Sequence, residues 1–107
     1  MSGDIRIVLT SMDDRKAAQS IARALIETGL AACVQVSAEG ASWYRWQGEV
    51  QHAAECYLVV KTGAQMLEAV IAWLQEHHPY ELPEIVWFSA QALPGYAAWI
   101  QDQLGER

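Results

Sequence analysis

Basic residues are scarce in this sequence, and their scarcity excludes several classes of function. Seven Lys and Arg stand against thirteen Asp and Glu, which gives a formal net charge of −6. A general nucleic-acid binder needs a basic stripe to neutralise phosphates, and anionic membranes attract clustered basic residues. The basic residues here are scattered, so we expect neither nucleic acid nor a membrane as a partner.

Cysteine is also scarce, and long hydrophobic runs are absent. Cys33 and Cys56 are too few for a disulfide framework. Apolar runs such as residues 85–88 are far too short to cross a bilayer, and Asp4 stands where a signal peptide carries basic residues. The 107 residues have the length of one domain. We therefore expect a single cytoplasmic domain over residues 1–107.

Large apolar side chains, in contrast, are abundant. The sequence is 52% hydrophobic and holds five Trp and four Tyr. A small sphere cannot hide that many rings, so some of them are expected at a subunit contact or a binding surface. We expect Trp43, Tyr44, Trp46 and Trp99 to be buried between subunits.

Short β-branched or alternating runs predict strands, and apolar stripes at helical spacing predict helices. The hydroxyls and carboxylates at residues 10–14 are typical of a helix start. The apolar stripe that follows ends at Gly29, a residue suited to a left-handed cap. Pro79 is expected to end the second helix. The predicted strands span residues 5–10, 30–38, 41–47, 49–62 and 84–92; the second helix spans 64–77 and a short last helix opens at residue 94.

This order of elements predicts an α+β fold. The simplest closure is a ferredoxin-like βαββαβ sandwich with an extra hairpin and a C-terminal helix. Two main helices would pack on one face of an antiparallel sheet. The other face would be open, and a symmetric partner is the simplest cover for it.

The sequence carries no motif of a known enzyme class: it has no Gly-rich phosphate loop and no nucleophile elbow. We therefore expect a protein without catalytic residues. The densest polar cluster spans residues 77–84, and its imidazoles and carboxylates suit a metal or acid–base site. The alternative is that His77 and His78 simply end a helix. Adjacent helical residues point about 100° apart, so the two imidazoles are not expected to chelate one ion together.

The other polar or aromatic candidates each have two interpretations. The Cys residues could be ligands or small core hydrophobes, and the second is favoured. The rings of the predicted hairpin could stack on a base or sugar or pack at an interface, and the acidic charge balance favours the interface. Lys61 could meet an anion ligand or form an ion pair with one of the many carboxylates, and the ion pair is favoured. Lys61, Tyr80 and Glu84 could also line one cleft.

Several motifs together resemble the CutA family of divalent-cation tolerance proteins. They comprise residues 30–34, residues 42–46 with Gly48, Glu55, residues 61–62, and residues 77–80 with 83–85, followed by Tyr96 and residues 99–100. The resemblance covers residues 5–104. It implies a ferredoxin-like subunit in a tight homotrimer and a role in tolerance of copper and other divalent cations, with no established reaction.

The resemblance also implies metal ligands. In some members a Cys near the end of the first strand and the two His of the HHPY motif are named as copper ligands. The two imidazoles correspond to His77 and His78, whereas the Cys position is occupied by Thr10. A hydroxyl is a poor ligand for soft Cu(I). Copper or another divalent cation is the expected cofactor, and no organic cofactor is expected.

A second class of function follows from the similar architecture of trimeric PII-type signalling proteins, which bind small effectors between subunits. A comparable trimer would have lateral clefts in which Trp46, Lys61, Tyr80 and Glu84 could gather. The alternative function is therefore a small-molecule sensor or signalling scaffold.

Overall fold

A computed structural model describes residues 3–105, so the two residues at each end of the predicted domain lie outside the described part. The described chain is elongated, with extents of 48 × 25 × 23 Å. Its elements in order are β1 (Asp4–Met12), α1 (Arg15–Glu27), β2 (Cys33–Val36), β3 (Gly40–Trp46), β4 (Glu49–Thr62), a single 3₁₀ turn (Ala64–Met66), α2 (Leu67–His77), β5 (Val86–Gln91) and α3 (Pro94–Asp102).

The sheet has the order β2-β4-β1-β5, and β3 pairs with β4 outside this path. Every described ladder is antiparallel. Helix α1 connects β1 to β2 across β4, and α2 connects β4 to β5 across β1, which makes two interlocked split βαβ units. The predicted ferredoxin-like α+β fold is confirmed.

The two faces of the sheet are covered differently. Alternate side chains of a strand point to opposite faces, and Val8 and Met12 pack with α1 and α2 in the larger core cluster. We call this side the helix face. On the other side, the open face, Ile5 and Ile7 form a smaller core cluster with Ala97 and Ile100 of α3.

The open face remains partly uncovered because α3 reaches only one end of it. The rings of Tyr57, Phe88 and Trp99 are 37%, 45% and 45% exposed. Phe88 pairs with Ile7 across β1 and β5, so it projects from the open face. The prediction that one face lacks a complete cover is confirmed.

The start of α1 differs from the prediction. Thr10 and Ser11 belong to β1, which continues to Met12 in register with Cys56. The helix cap is Asp14, whose carboxylate accepts hydrogen bonds from Lys16 N and Ala17 N. Ladder pairing places the hydroxyl-bearing residues in β1, so a carboxylate caps the helix instead of a hydroxyl.

The end of α1 follows the prediction closely. Gly29 has φ 75°, Leu30 N–H donates to Leu25 O, and Gly29 N–H donates to Ile26 O. These two bonds form a Schellman motif, which satisfies the last carbonyls of the helix.

Strands β3 and β4 form a hairpin that extends beyond the rest of the sheet. Residues Gly40–Trp46 pair with Glu55 to Glu49, whereas β1 pairs with β4 only from Cys56 onward. The hairpin closes through Gln47 and Gly48, with φ 50° and 81°. Two positive φ values in a two-residue loop are typical of a type I′ turn, whose twist matches that of the strands.

Strand β4 has the predicted bounds of 49–62, and the other boundaries shift by a few residues. The predicted second strand, residues 30–38, is reduced to Cys33–Val36. Residues 30 and 31 instead bond to the end of α1. None of the helices within residues 3–105 combines the length and apolar character needed to cross a bilayer.

Candidate functional site

An open groove of about 970 Å³ lies between one face of the hairpin and the segment that follows α2. On the hairpin side, Tyr44 pairs with Gln51 and Ser42 with Ala53, so these residues share the face that lines the groove. The described residues around the groove are Ser11, Asp13, Ser42, Trp43, Tyr44, Arg45, Trp46, Gln51, Ala53, Glu55, Tyr80, Glu81, Leu82 and Glu84.

The floor of the groove contains a buried carboxylate. Glu55 is only 8% exposed and lies where β4 leaves the main sheet to form the hairpin. Its Oε2 accepts a 2.6 Å hydrogen bond from the Tyr80 hydroxyl, and its Oε1 accepts a longer bond of 3.4 Å from Ser11 Oγ. These bonds join the base of the hairpin to β1 and to the segment after α2.

The hydroxyl of Tyr80 is held in its neutral form. Burial raises the pKa of Tyr80 well above its ordinary value of 10.0, and the hydrogen bond and negative charge of Glu55 raise it further. Tyr80 is therefore a hydrogen-bond donor to Glu55 throughout the physiological pH range.

His78 lies beneath this cluster and uses both ring nitrogens. The backbone N–H of Tyr80 donates to Nδ1 at 3.0 Å, so Nδ1 carries the lone pair. Nε2 therefore carries the proton and donates to Ser11 O at 2.8 Å. The imidazole is 8% exposed. His78 connects the end of α2 to the end of β1 in this arrangement.

His77 has a different environment. Its ring stacks on Trp73 with a centroid separation of 3.9 Å, and Nδ1 lies 2.8 Å from Trp73 O. A carbonyl oxygen only accepts hydrogen bonds, so Nδ1 carries the proton and Nε2 of the neutral ring keeps its lone pair. His77 is an exposed residue, so this ring offers one nitrogen as a ligand.

The structure brings together three of the four residues predicted to line a cleft. Trp46, Tyr80 and Glu84 line the groove, whereas Lys61 does not. Lys61 lies six residues beyond Glu55 on β4, which is roughly 20 Å along an extended strand. Its ammonium lies 3.4 Å from the Tyr96 hydroxyl and 5.5 Å from the centre of that ring, so an aromatic side chain takes the place of the expected carboxylate.

The chain matches a known protein family over nearly its whole length. Residues 6–103 match the family model described as CutA1 divalent ion tolerance protein. The chain belongs to the CutA1 family. The family is named for divalent ion tolerance and not for a reaction.

The similarity to individual CutA proteins extends over nearly the whole chain. The divalent-cation tolerance protein CutA of Thermus thermophilus is 37% identical, over 92% of this chain and 97% of that protein. The Protein CutA homolog of Danio rerio is 31% identical over 95% of this chain and 69% of its own length.

Solved structures agree with the fold. CutA from Synechococcus elongatus PCC7942 superposes with a TM-score of 0.91 at 36% identity, covering 97% of this chain and 93% of that chain. The same protein complexed with a Bis-Tris molecule superposes with a TM-score of 0.87 at 35% identity, over 96% of each chain.

Two features of this CutA1-family chain concern its expected metal ligands. Thr10 is buried on the helix face, and no described group lies within hydrogen-bonding distance of its hydroxyl. Within residues 3–105 no three His, Cys, Asp or Glu side chains gather closely enough to surround an ion. Metal binding through His77 or His78 therefore stays a prediction.

Sequence reasoning assigned no role to Glu55. The signal was available in the strand pattern, since Glu55 stands directly before the apolar second half of β4 and on the face shared by Tyr57 and Val59. A carboxylate at such a position is expected to be buried only with hydrogen-bond partners. The partners, Ser11 and Tyr80, are 44 and 25 residues away in sequence.

Proposed function

We propose that this CutA1-family protein is a cytoplasmic homotrimer of the metal-ion response, not an enzyme, and that it binds copper weakly through His77 or His78. The observation that carries the metal part is the exposed side chain of His77, whose ring is oriented by the Nδ1–H bond to Trp73 O and keeps its lone pair on Nε2. An imidazole that donates its second N–H to a carbonyl is the usual form of a metal-bound His.

Of the two imidazoles, His77 fits this role better. Both nitrogens of His78 already take part in hydrogen bonds within the fold, so metal binding would require those bonds to break. A single imidazole without nearby protein ligands binds copper only weakly, because transition metals gain affinity from several ligands at once.

Copper titration by calorimetry tests the site. We expect His77→Ala to weaken Cu(II) binding by about tenfold or more. We expect His78→Ala to lower thermal stability because it removes two buried hydrogen bonds. His52→Ala is the matched control, since His52 is also stacked on a tryptophan, Trp43. Equal copper affinity of wild type, His77→Ala and His78→Ala would contradict the proposed site.

The trimer is supported by the uncovered open face and the exposed hairpin rings. Trp43, Tyr44 and Trp46 are 68%, 43% and 52% exposed, and within residues 3–105 strand β3 pairs with β4 alone, which leaves the other edge of β3 unpaired there. Exposed rings and free edges of this kind suit a contact between copies of one chain. Light scattering at micromolar concentration is expected to give three times the chain mass.

A second candidate function is a small-molecule sensor or scaffold. The groove of about 970 Å³ favours it, since ligand sites of small molecules commonly have this size. The Synechococcus relative that is complexed with a Bis-Tris molecule supports it as well. Thermal-shift screening separates the two candidates: a strong shift with an organic molecule and none with metal ions favours the second.

A further inference from the structure

A second groove lies between α2, the segment that follows it and strand β5. It has a volume of about 390 Å³, and its apolar lining consists of Ile71, Leu82, Pro83, Ile85 and Trp87. We call it the outer groove. Of its lining residues, only Glu81 and Leu82 also line the groove beside the hairpin.

The fold leaves two large apolar side chains of the outer groove in solvent. Trp87 is 50% exposed and Leu82 is 80% exposed. Trp87 pairs with Val8 across β5 and β1, so its ring projects to the helix face. The contact between copies of the chain is expected on the open face, which is the opposite side of the sheet. The outer groove therefore points away from that contact, and exposed apolar groups of this kind mark interaction sites.

The surroundings of the outer groove are acidic. The sequence contains no Lys or Arg from residue 62 to residue 106, and this stretch supplies all the walls of the outer groove. Four exposed carboxylates lie on α2 and on the segment after it: Glu68, Glu76, Glu81 and Glu84. A partner with positive charge complements such a surface.

We propose that the outer groove is a docking site for a partner protein that presents a short basic and apolar segment. One large apolar side chain of the segment would lie between Trp87 and Leu82, and a Lys or Arg beside it would meet Glu81. A half-exposed tryptophan in a groove is the usual kind of anchor for such a contact. The proposal goes beyond the proposed function, because it uses neither His77 nor the groove beside the hairpin.

A basic segment of a protein fits the outer groove better than other polymers do. Nucleic acids and anionic membranes carry the same sign of charge as the carboxylates around it and would be repelled. The apolar rings favour a partner that buries a side chain, and the volume of about 390 Å³ is in the range of side-chain and ligand pockets.

Selection from a random dodecapeptide library displayed on phage tests the proposal without assuming a partner. The full chain is immobilised as the bait. We expect the selected peptides to be enriched in Lys or Arg next to Leu, Phe or Trp, and a synthetic peptide of the consensus to bind with a Kd tighter than about 100 μM. Raising the ionic strength from about 50 mM to about 500 mM should weaken this binding, since exposed charges are screened.

Three variants locate the bound peptide. We expect Trp87→Ser and Leu82→Ser each to weaken the consensus peptide by about tenfold, because the apolar anchor loses its contact. Glu81→Lys should weaken it by a similar factor through charge repulsion. The matched controls lie on α1: Ile26→Ser changes an apolar residue that is 42% exposed, and Glu27→Lys reverses the charge of an exposed carboxylate.

The possible results either support or overturn the proposal. Selection of acidic or uncharged peptides, or of none, would overturn it. So would basic peptides that bind Leu82→Ser and Glu81→Lys as tightly as the wild type, and these two loop variants keep the test valid if Trp87→Ser fails to fold. Light scattering of Trp87→Ser gives a separate check: a smaller assembly would place the outer groove between copies of the chain and exclude a different partner there.

Discussion

Buried hydroxyl groups in this protein differ in whether the fold gives them a hydrogen-bond partner. Thr10 and Thr62 are both fully buried and lie on the helix face of neighbouring strands. Thr62 Oγ1 donates to Leu30 O at 2.6 Å, whereas the Thr10 hydroxyl has no partner among the described groups. The two residues therefore form a natural pair for measuring the contribution of a buried hydroxyl.

We expect opposite effects when each of these threonines is changed to valine. Thr62→Val leaves Leu30 O unpaired and should lower the free energy of unfolding by about 1–3 kcal/mol. Thr10→Val removes an unpaired hydroxyl and should be neutral or stabilising by up to about 1 kcal/mol. Urea unfolding at one fixed protein concentration compares them. An equal loss in both variants would show that Thr10 has a partner.

Tyr80 gives a prediction about pH. Its raised pKa means that the fold stabilises the neutral phenol. The stability contributed by this residue is therefore complete below the ordinary tyrosine pKa of 10.0 and declines as the pH rises above it. Tyr80→Phe should therefore reduce the loss of unfolding free energy that the wild type shows as the pH rises above this value.

The measurement is urea unfolding at neutral pH and above the ordinary tyrosine pKa, with Tyr96→Phe as the control. Tyr96 is exposed, and its hydroxyl lies 3.4 Å from the Lys61 ammonium. At neutral pH, Tyr80→Phe should cost about 1–3 kcal/mol because Glu55 loses a donor. An alkaline decline of the same size in wild type and Tyr80→Phe would contradict the argument.

At the scale of elements, the end of α1 connects to the C-terminal part of the described chain. Gly29 O accepts a 2.9 Å hydrogen bond from Gly105 N. A Cβ on Gly29 would overlap the carbonyl oxygen of Gly105, and Gly29 has φ 75°. The helix cap and the docking of the segment after α3 therefore depend on the same glycine.

We expect Gly29→Ala to destabilise the protein by at least about 2 kcal/mol, because it combines left-handed strain with a steric clash. Gly95→Ala is the matched control. It lies in α3 with open space around its Cβ position, and alanine should raise stability there by up to about 1 kcal/mol. Thermal unfolding measures both variants. If Gly29→Ala left the stability unchanged, the helix cap and the docking of the segment after α3 would not depend on this glycine.

Boundaries of elements were predictable wherever local chemistry decides them. The bounds of β4, the cap at Gly29 and the end of α2 before Pro79 follow from alternation, left-handed backbone and proline sterics. The cap of α1 was not predictable, because pairing of β1 with β4 through Met12 withdrew Thr10 and Ser11 from the helix start.

At the scale of the whole molecule, the uncovered open face determines how copies are expected to associate. Phe88 and Trp87 are adjacent on β5 and 45% and 50% exposed. Phe88 pairs with Ile7 on the open face, whereas Trp87 pairs with Val8 on the helix face. The two rings thus have similar exposure but project from opposite faces of the sheet.

We expect Phe88→Glu to dissociate the proposed trimer, because a carboxylate would be buried in an apolar contact without a partner. Trp87→Glu should leave the assembly intact. Light scattering of both variants at the same concentration is the measurement. Dissociation by Trp87→Glu alone would place the subunit contact on the helix face and refute the expected arrangement.

The pattern of apolar, turn and capping residues by itself determined the α+β class, the ferredoxin-like order and the excess of exposed rings, because periodicity and turn chemistry act over a few residues. The motifs along the chain determined the family. Only the tertiary structure decided that Glu55, Tyr80 and Ser11 form one buried cluster, that both nitrogens of His78 are occupied, and that Lys61 lies away from the groove. These contacts join residues far apart in sequence, and their geometry follows from strand register and helix placement, which no local pattern specifies.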